Sequence, residues 1–395
     1  MAALAGGPPY ADMLPRDFTL LQVTPALDGG GVETLTVDAA AAVARAGARS
    51  LVASRGGRLE TALASAGGEL IRMPVDSRNP LTLIANARRL RRVIRDERVS
   101  LVHVRSRAPA FSAVWAARVT GIPVVATYHG IYAARSPLKR WYNGVMTRGD
   151  AVIANSIFTR DHVLAQHRIA PSKIVVIAEG IDSTRFDPAM VGRKRVEAVR
   201  AAWGIAPDES RRVVLVVARL TGWKGHSVLI EALARSTVRE ETVLICVGRG
   251  ETTPMAASLR ALALGAGLSE QVRLVGPFHD MPAAYLAADM IAAPSTEPES
   301  FGRGVAEAGA MTKVVLASRL GGPAETIVDG ATGWLVAPGD PEAWARALET
   351  AFACARPELE AMGAAARARV VEHYSLETMT AATFDLYGRL CEKSA

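Results

Sequence analysis

The sequence predicts an α/β protein with two Rossmann-like, doubly wound domains. Short apolar runs rich in Val, Ile and Leu alternate with segments of helical length along the chain. Apolar strands that alternate with helices are typical of parallel sheets covered on both faces, and the pattern occurs twice. The length of 395 residues also favours two domains, because single hydrophobic cores rarely grow beyond roughly 250–300 residues.

Apolar runs predict the strands of a first domain over residues 18–190. In chain order they are "FTLLQVT", "RSLVAS", "ELIRMP", "SLVHV", "PVVATYH", "DAVIAN" and "KIVVIA". Between them, "VETLTVDAAAAVARAG" and "PLTLIANARRLRRVIRDE" show the apolar spacing of helices. Residues 1–17 lack the basic start and long apolar segment of a secretory signal, so we expect a flexible leader there.

Further runs predict a second sheet over residues 191–374, namely "RRVVLVVARL", "TVLICVG", "QVRLVG", "DMIAAPS" and "KVVLAS". The boundary is expected near residue 190, because Asp187-Pro188 breaks regular structure and the charged stretch "GRKRVEAVRAAWG" follows. Residues 375–395 predict an amphipathic helix that packs back toward the first domain. Ser375 is its expected N-cap.

The cysteines indicate the cellular compartment, and the charge distribution indicates the kinds of partner. The three cysteines are far apart, which favours a reducing compartment, and no apolar run approaches the roughly 20 residues of a membrane span. We therefore expect a cytoplasmic protein. Residues 1–190 hold 24 Lys and Arg against 15 Asp and Glu, whereas the remainder holds 22 against 24. This asymmetry suggests different partners for the two halves, a solvated basic surface being the alternative.

Candidate binding residues follow the apolar runs of the first domain, because ligands of doubly wound sheets bind beyond the carboxyl ends of the strands. Gly30 and Gly31 in "LDGGGVET" precede a helix, where the backbone can approach an anion closely. A simple glycine turn is the alternative. His129 ends the run "PVVATYH", where a structural and a catalytic role are equally expected.

In the second domain, Arg219 and Lys224 follow the first run in "VVARLTGWKGH". Two cations beside a helix N-terminus can hold a phosphate without a metal, and a pair of surface cations is the alternative. Gly248 follows the next run, and Phe278 follows the third, where its ring is expected to form one wall of a nucleotide-base pocket.

The stretch "PSTEPESFGRGVAEAGA", residues 294–310, places Glu299 and Glu307 eight positions apart around Phe301 and Gly302. Glu307 lies among Ala, Gly and Val, where a carboxylate is costly to bury unless a partner satisfies it. Asp-x-Asp, Cys-x-x-Cys and Gly-x-Ser-x-Gly motifs do not occur in the sequence. Metal-dependent and acyl-enzyme chemistry therefore lose support, and neither a cofactor nor a nucleic-acid partner is expected.

Together these motifs resemble glycosyltransferase family 4, a family of retaining nucleotide-sugar glycosyltransferases with the GT-B fold. The specific match is the Glu-x7-Glu signature "EPESFGRGVAEA", joined by "ARLTGWKGH", "ANS", "AEGID" and "GGPAETIVDGATGWLV". The resemblance covers nearly the whole chain from about residue 18. It implies two domains that face a central cleft.

The resemblance also implies roles for the candidate residues. Glu299 would bind hydroxyls of the donor sugar and Glu307 the ribose hydroxyls, while Arg219 and Lys224 would grip the diphosphate. Backbone groups of the first domain would approach the phosphate, and His129 would lie near the anomeric carbon. The other donor-binding positions implied are Gly30, Gly31, Gly248, Phe278, Phe301 and Gly302. Arg303 and Gly304 depart from the family, which usually has apolar residues there; we expect Arg303 to contact the donor or to point toward an acidic acceptor.

The expected reaction is a metal-independent, retaining transfer of a hexosyl unit to a glycan or lipid-linked acceptor, in lipopolysaccharide core or envelope polysaccharide synthesis. "ARSPLKRWYN" and the arginine-rich "ARRLRRVIRDER" supply basic surface in the first domain. We expect Arg135, Lys139 and Arg140 to bind an anionic acceptor, with a peripheral contact on the cytoplasmic face of the inner membrane.

Three alternatives are compatible with parts of the sequence. A nucleotide-sugar 2-epimerase shares the fold but is not expected to carry this Arg, Lys and Glu-x7-Glu set. A bilobal solute-binding protein would need an export signal. An NAD-dependent oxidoreductase would use "LDGGGVET", but Thr34 stands where the third glycine of the dinucleotide fingerprint belongs.

Overall fold

The computed structural model describes residues 10–132 and 136–393. The chain divides into two compact units, one formed by Met1–Ala178 with Glu377–Ala395 and the other by Glu179–Leu376. Each unit holds a parallel sheet with helices around it, which confirms the predicted pair of Rossmann-like domains.

The strands of the first unit coincide with the predicted apolar runs. They are β1 Thr19–Val23, β2 Arg49–Ser54, β3 Gly68–Arg72, β4 Leu101–Val104, β5 Val124–Tyr128, β6 Ala151–Ala154 and β7 Ile174–Val176. They pair in parallel in the order β3-β2-β1-β4-β5-β6-β7. Because helices cover both faces of the sheet, the side chains of its inner strands β1, β4, β5 and β6 are all buried, which explains these continuous apolar runs.

Helices connect these strands: α1 Gly31–Arg45, α2 Glu60–Ser65, α3 Pro80–Asp96, α4 Arg107–Thr120, α5 Pro137–Asn143 and α6 Ile157–Gln166. The start of α3 is set by Asn79, whose side chain accepts a hydrogen bond from the backbone N–H of Leu81. As its spacing predicts, α3 buries Leu90 and Ile94, while Arg88, Arg89, Arg92 and Arg95 are exposed.

The strands of the second unit are β8 Arg212–Val217, β9 Thr242–Val247, β10 Val272–Val275, β11 Met290–Ala293, β12 Val315–Ser318 and β13 Gly333–Val336. Their order is β10-β9-β8-β11-β12-β13. Its helices are α7 Arg193–Ala202, α8 His226–Arg235, α9 Pro254–Gly265, α10 Met281–Ala287, α11 Arg303–Ala310, α12 Pro323–Thr326, α13 Pro341–Ala353 and α14 Arg356–His373. The last helix of the chain, α15 Leu376–Glu392, belongs mostly to the first unit.

Strand β13 was not predicted, because "GATGWLVAPGD" reads as a glycine-rich turn. Gly333 has a positive φ of 154°, and a Cβ there would collide with the carbonyl oxygen of Val315. Glycine is therefore required for the close approach of β13 to β12, so this glycine belongs to the sheet rather than to a turn.

The units meet in the chain after Ala178, twelve residues before the predicted boundary at 190. Residues 179–190 count with the second unit because they bond to it. Ile181 exchanges backbone hydrogen bonds with Tyr374 and Leu376, and Arg367 both donates to the Phe186 carbonyl and pairs with Asp187 at 3.1 Å.

The structure also differs from the predicted leader. Residues 1–9 lie outside the described residues, but Ala11–Met13 form a 3-10 helix and Tyr10 is buried. The Tyr10 ring packs edge-on against Phe384 of α15 at 5.4 Å between centroids. Tyr10 is thus part of the first unit's core rather than of a free leader.

Candidate active site

The order of strands reverses between β8 and β11, and the loops after these two strands carry an ion pair. Lys224 ends the 3-10 helix Gly222–Lys224 behind β8, and Glu299 lies in the loop between β11 and α11. Lys224 Nζ is 2.7 Å from Glu299 Oε2, with 14% and 19% of the two side chains exposed. In open α/β sheets, this switch point is where ligands bind.

Backbone contacts hold these two loops together. The N–H and the hydroxyl of Thr296 donate to the Trp223 carbonyl at 2.7 and 3.2 Å. Gly225 has a left-handed φ of 72°, and a Cβ there would collide with the Pro294 carbonyl. The glycine in "GWKGH" therefore allows the two loops to lie side by side.

Glu299 is fixed from behind by the turn after β12. Its carbonyl accepts a hydrogen bond from Gly322 N–H at 2.9 Å, and a Cβ on Gly321 would collide with that carbonyl. Its Oε1 accepts a hydrogen bond from the Ser295 hydroxyl at 2.5 Å. Sequence reasoning missed Ser295 and Thr296, although both stand within the stretch it singled out.

Glu307 on α11 is the second acid of the site, and 16% of its side chain is exposed. Its Oε2 accepts a hydrogen bond from the Tyr285 hydroxyl of α10 at 3.0 Å, and its Oε1 lies 3.7 Å from Arg303 Nε. Burial raises the pKa of the Glu307 carboxyl, and the charge of Arg303 and the Tyr285 hydroxyl act in the opposite direction. The costly buried carboxylate predicted from sequence thus has two partners within its own unit.

Arg303, which departs from the family pattern, lies near two acids of its own unit. Its guanidinium does not stand alone toward solvent, since Nη1 is also 4.0 Å from Glu179 Oε2 and 24% of the side chain is exposed. Glu179 lies in the "AEGID" motif, for which the sequence gave no role. The structure places Arg303 between two carboxylates of the second unit.

Arg219, in contrast, is exposed after β8, and no ion pair of its guanidinium is seen within residues 10–132 and 136–393. The sequence predicted the two cations as a clamp, but the structure joins only Lys224 to an acid of the site. Gly248 follows β9, where a Cβ would collide with the Ala218 carbonyl. The glycine therefore keeps the loops after β8 and β9 in contact.

Two aromatic residues predicted near the donor take part in packing. Phe278 follows β10, and its ring meets the ring of Trp203 edge-on at 6.1 Å. Phe301 is buried, with its ring 5.8 Å from that of Tyr374. Gly302 precedes α11 with a left-handed φ of 84°, so it sets the direction in which that helix leaves the loop.

In the first unit, Gly30 precedes α1, which begins at Gly31. The carboxylate of Glu33, in the first turn, lies so close to Gly30 that a Cβ there would collide with Glu33 Oε2. An acid at this position is stabilised by the helix dipole. The helix N-terminus predicted to receive an anion therefore already faces a carboxylate of its own.

The other candidates of the first unit lie after β5. His129 follows β5 directly and is half-buried. Arg135 lies outside the described residues, whereas Lys139 and Arg140 are exposed on α5. Beside them on the same helix, Leu138 and Trp141 are 75% and 55% exposed.

The described residues hold neither a cluster of metal ligands nor a helix suited to cross a membrane. No group of three or more His, Cys, Asp and Glu side chains in the described part of the chain is arranged to hold a metal ion. None of the described helices combines the length and the apolar character that crossing a membrane requires.

Comparison with known proteins gives matches along most of the chain. Residues 29–185 match the profile of Glycosyltransferase Family 4, and residues 200–369 match that of Glycosyl transferases group 1. A D-inositol 3-phosphate glycosyltransferase of Salinispora arenicola is 34% identical over 213 residues, which are 52% of this chain and 47% of the relative. The matched segment thus spans about half the length of that curated relative.

Solved structures match over nearly the full length. A glycosyltransferase from Rickettsia africae superposes with a TM-score of 0.88 at 32% identity, covering 95% of this chain and 99% of that one. HepE of Anabaena, solved with UDP and glucose, superposes with a TM-score of 0.80 at 22% identity, covering 93% and 98%. The second likeness concerns the fold alone, because the identity is low.

Proposed function

This chain belongs to family 4 of the glycosyltransferases and has their GT-B fold, and on that premise we propose that it transfers a hexosyl unit from a nucleotide-diphosphate sugar to a glycan or lipid-linked acceptor. The observation that carries the proposal is the Lys224–Glu299 ion pair at the switch point of the second sheet. It sets a cation for a diphosphate beside a carboxylate for sugar hydroxyls. A 2-epimerase of the same fold is not expected to combine these groups.

In the proposed step, the bond between the anomeric carbon and the donor phosphate oxygen breaks. The acceptor hydroxyl oxygen bonds to that carbon from the same face, and its proton passes to a phosphate oxygen of the leaving nucleoside diphosphate. The configuration of the sugar is retained. Negative charge grows on the diphosphate as the bond breaks, so Lys224 and Arg219 stabilise the transition state more than the ground state. These two cations would supply the charge without a divalent metal.

In this proposal the two acids bind different parts of the donor. Glu299 accepts hydrogen bonds from sugar hydroxyls, and Glu307 from the two vicinal hydroxyls of the ribose, which together satisfy a carboxylate in a buried setting. The binding of UDP and glucose by HepE, which has the same fold, supports a uridine nucleotide as the first donor to test.

We assign the acceptor to the first unit, which holds the excess of positive charge. Lys139 and Arg140 on α5 suit an anionic acceptor, and Leu138 and Trp141 beside them suit the apolar region of a lipid. The named substrate of the Salinispora relative, an inositol phosphate, supports an anionic acceptor. A lipopolysaccharide core or another envelope glycan at the cytoplasmic face of the inner membrane fits this chemistry.

A screen of nucleotide sugars for thermal stabilisation tests the donor. A ligand at 100 times its dissociation constant stabilises the folded protein by about 2.7 kcal/mol, which is a measurable rise in melting temperature. We expect stabilisation by one base and sugar combination in the presence of a chelator. Activity that is lost with the chelator and restored by magnesium would contradict the metal-independent step, and an inverted product by NMR would contradict retention.

Variants of the two acids test the division of the donor. Glu307→Ala should weaken binding of the free nucleoside diphosphate, whereas Glu299→Ala should leave it nearly intact and reduce turnover of the sugar donor. Calorimetry with UDP and with the selected nucleotide sugar separates the two effects. Unchanged UDP affinity in the Glu307 variant would reject its assignment to the ribose.

A further inference from the structure

Arg303 is the first residue of α11 and stands four positions before Glu307, one helical turn away. Two other helices of the second unit begin with the same pattern, since Arg193 pairs with Glu197 at the start of α7 and Arg356 with Glu360 at the start of α14. In those pairs the arginines are 91% and 90% exposed, whereas Arg303 is 24% exposed. The contact between Arg303 and Glu307 is therefore largely shielded from water, whereas the matching contacts of α7 and α14 are exposed to it.

Burial changes what such a contact does. An exposed Arg–Glu pair contributes little because water screens both charges. In a shielded site, the carboxylate has lost water on most sides, so its ionisation depends on the charges that remain near it. For Glu307 these are Arg303 on its own helix, the Tyr285 hydroxyl on α10, and the more distant Arg185 in the segment before α7.

The other charged groups near this helix already have partners. The Glu179 carboxylate also lies near the Arg303 guanidinium, with Oε2 at 4.0 Å from Nη1. On the α14 side, Arg367 donates to the carbonyls of Phe186 and Ala310 and pairs with Asp187. Of the cations in the described residues around Glu307, Arg303 is thus the one whose removal changes the local charge most.

The distance between Arg303 and Glu307 suits a site that must bind a ligand. At 3.7 Å, Arg303 Nε supplies a counter-charge but lies beyond hydrogen-bonding distance of Oε1. The lone pairs of Oε1 therefore remain available to a ligand hydroxyl, whereas Oε2 already accepts a hydrogen bond from the Tyr285 hydroxyl. Glu299 is held more tightly, by Lys224 at 2.7 Å and Ser295 at 2.5 Å, and each of its oxygens keeps a lone pair for a sugar hydroxyl.

We propose that Arg303 is a positioning residue that keeps the Glu307 carboxylate ionised and free to accept the vicinal hydroxyls of the donor's ribose at neutral pH. The proposal rests on the assignment of Glu307 to the ribose made above. Arg303 itself needs no contact with the donor. An arginine at this otherwise apolar position then acts on the nucleotide through its effect on the acid.

The pH dependence of UDP affinity tests the proposal. Binding requires the ionised acid, so affinity falls as the pH drops through the pKa of Glu307. Replacing Arg303 with Leu removes the counter-charge and should raise the pH at which affinity falls by about one unit or more. Below that pH we expect UDP to bind on the order of tenfold more weakly to Arg303→Leu than to the wild type, with recovery as the pH rises. Arg303→Lys, which keeps the charge, should restore the wild-type profile.

Arg193→Leu is the matched control, because it breaks the same Arg–Glu spacing on an exposed helix start. It should leave the profile unchanged. In a Glu307→Gln background, adding Arg303→Leu should have no further effect on the pH profile, since the titrating group is gone. An Arg303→Leu profile that overlays the wild type would overturn the proposal.

A measurement without ligand separates this proposal from the function it rests on. A carboxyl whose folded pKa is raised loses stability as the pH rises through that pKa, and Arg303→Leu should raise it further. The unfolding free energy of Arg303→Leu should therefore fall relative to wild type as the pH rises through the raised pKa of Glu307, and Glu307→Gln should abolish the difference. If UDP and GDP both fail to bind, the donor assignment is wrong. If they bind while both pH effects are missing, the role of Arg303 is wrong.

Discussion

His226, the residue that begins α8 two positions after Lys224, is 2% exposed. Neither ring nitrogen has a hydrogen-bond partner among the residues that the structure describes. Burial, and then the nearby charge of Lys224, lowers the pKa of His226 from 6.5 to about 4. At neutral pH the imidazole is therefore uncharged behind the candidate diphosphate site.

This burial predicts acid sensitivity. A histidine with a lowered folded pKa supports stability above its unfolded pKa of 6.5, and that support is lost as the pH falls toward 4. Between pH 7 and pH 5, His226 should account for about 2 kcal/mol of lost unfolding free energy. Urea unfolding at both pH values should show a smaller loss in His226→Leu. Equal losses in the variant and the wild type would contradict this expectation.

Turnover should depend on the cations near the switch point. Lys224→Ala and Arg219→Ala should each lower turnover on the order of a hundredfold, as expected for the loss of one charge-stabilising group. Lys224→Ala should cost more, because it also leaves Glu299 with Ser295 alone. Arg235→Ala, at the exposed end of α8, is the control that should retain activity. The measurement is the initial rate at saturating donor. A rate for Lys224→Ala equal to that of this control would contradict the proposed stabilisation of the diphosphate charge by Lys224.

The residue types of the site were predictable, but their pairings were not. The Glu-x7-Glu spacing and the cations after the first strand of the second domain identify Glu299, Glu307 and Lys224. Lys224 and Glu299 are 75 positions apart, and only the meeting of β8 and β11 at the switch point brings them together. Likewise, the sequence marked Arg303 as unusual, and only burial reveals that it faces acids of its own unit.

At the scale of elements, apolar runs predict strands well where helices cover both faces of a sheet. The edge strand β13 was not predicted, because the composition around Gly333 is typical of a turn. The domain boundary was misplaced because the Asp-Pro break at 187–188 lies within a segment already bonded to the second unit. A local break in regular structure does not reveal which unit the flanking residues contact.

Helix α15 is joined to the first unit by a buried polar chain. His103 on β4 lies 2.5 Å from the Tyr387 hydroxyl through Nδ1 and 2.7 Å from the Thr127 hydroxyl through Nε2. Burial lowers the pKa of His103 well below its usual value, so the ring is neutral and needs both neighbours to satisfy its nitrogens. The contact between His103 and Tyr387 spans 284 positions in the sequence, which no local pattern reveals.

Removing the hydroxyl tests this chain. Tyr387→Phe keeps the ring but leaves His103 Nδ1 buried without its partner, so we expect a loss of about 1–3 kcal/mol in unfolding free energy. Urea denaturation followed by circular dichroism would measure it. Tyr142→Phe, at a half-buried position of α5 in the same unit, is the control and should change stability little. A loss no larger than that of the control would show that the polar chain contributes nothing to the docking of α15.

At the scale of the whole molecule, the uneven charge predicts salt-sensitive binding to anionic membranes through the first unit. Exposed Leu138 and Trp141 flank Lys139 and Arg140 on α5, and each cation adds about 1 kcal/mol near an anionic surface. In a flotation assay at low salt, the wild type should float together with anionic vesicles. Gln in place of Arg135, Lys139 and Arg140 should release it and weaken acceptor kinetics. Absence of wild-type flotation would contradict the membrane contact, and unchanged acceptor kinetics would contradict the acceptor site.

The chain leaves the first unit after Ala178, builds the second, and returns to the first at Glu377. Phe384 and Tyr387 of α15 then complete a core that includes Phe18, Leu20 and Val125. On the ribosome, the first unit therefore cannot close this core until α15 has been synthesised, although its sheet emerges first. The second unit, begun later, is complete earlier. During that interval the uncovered face of the first sheet is the surface that a nascent-chain chaperone would meet.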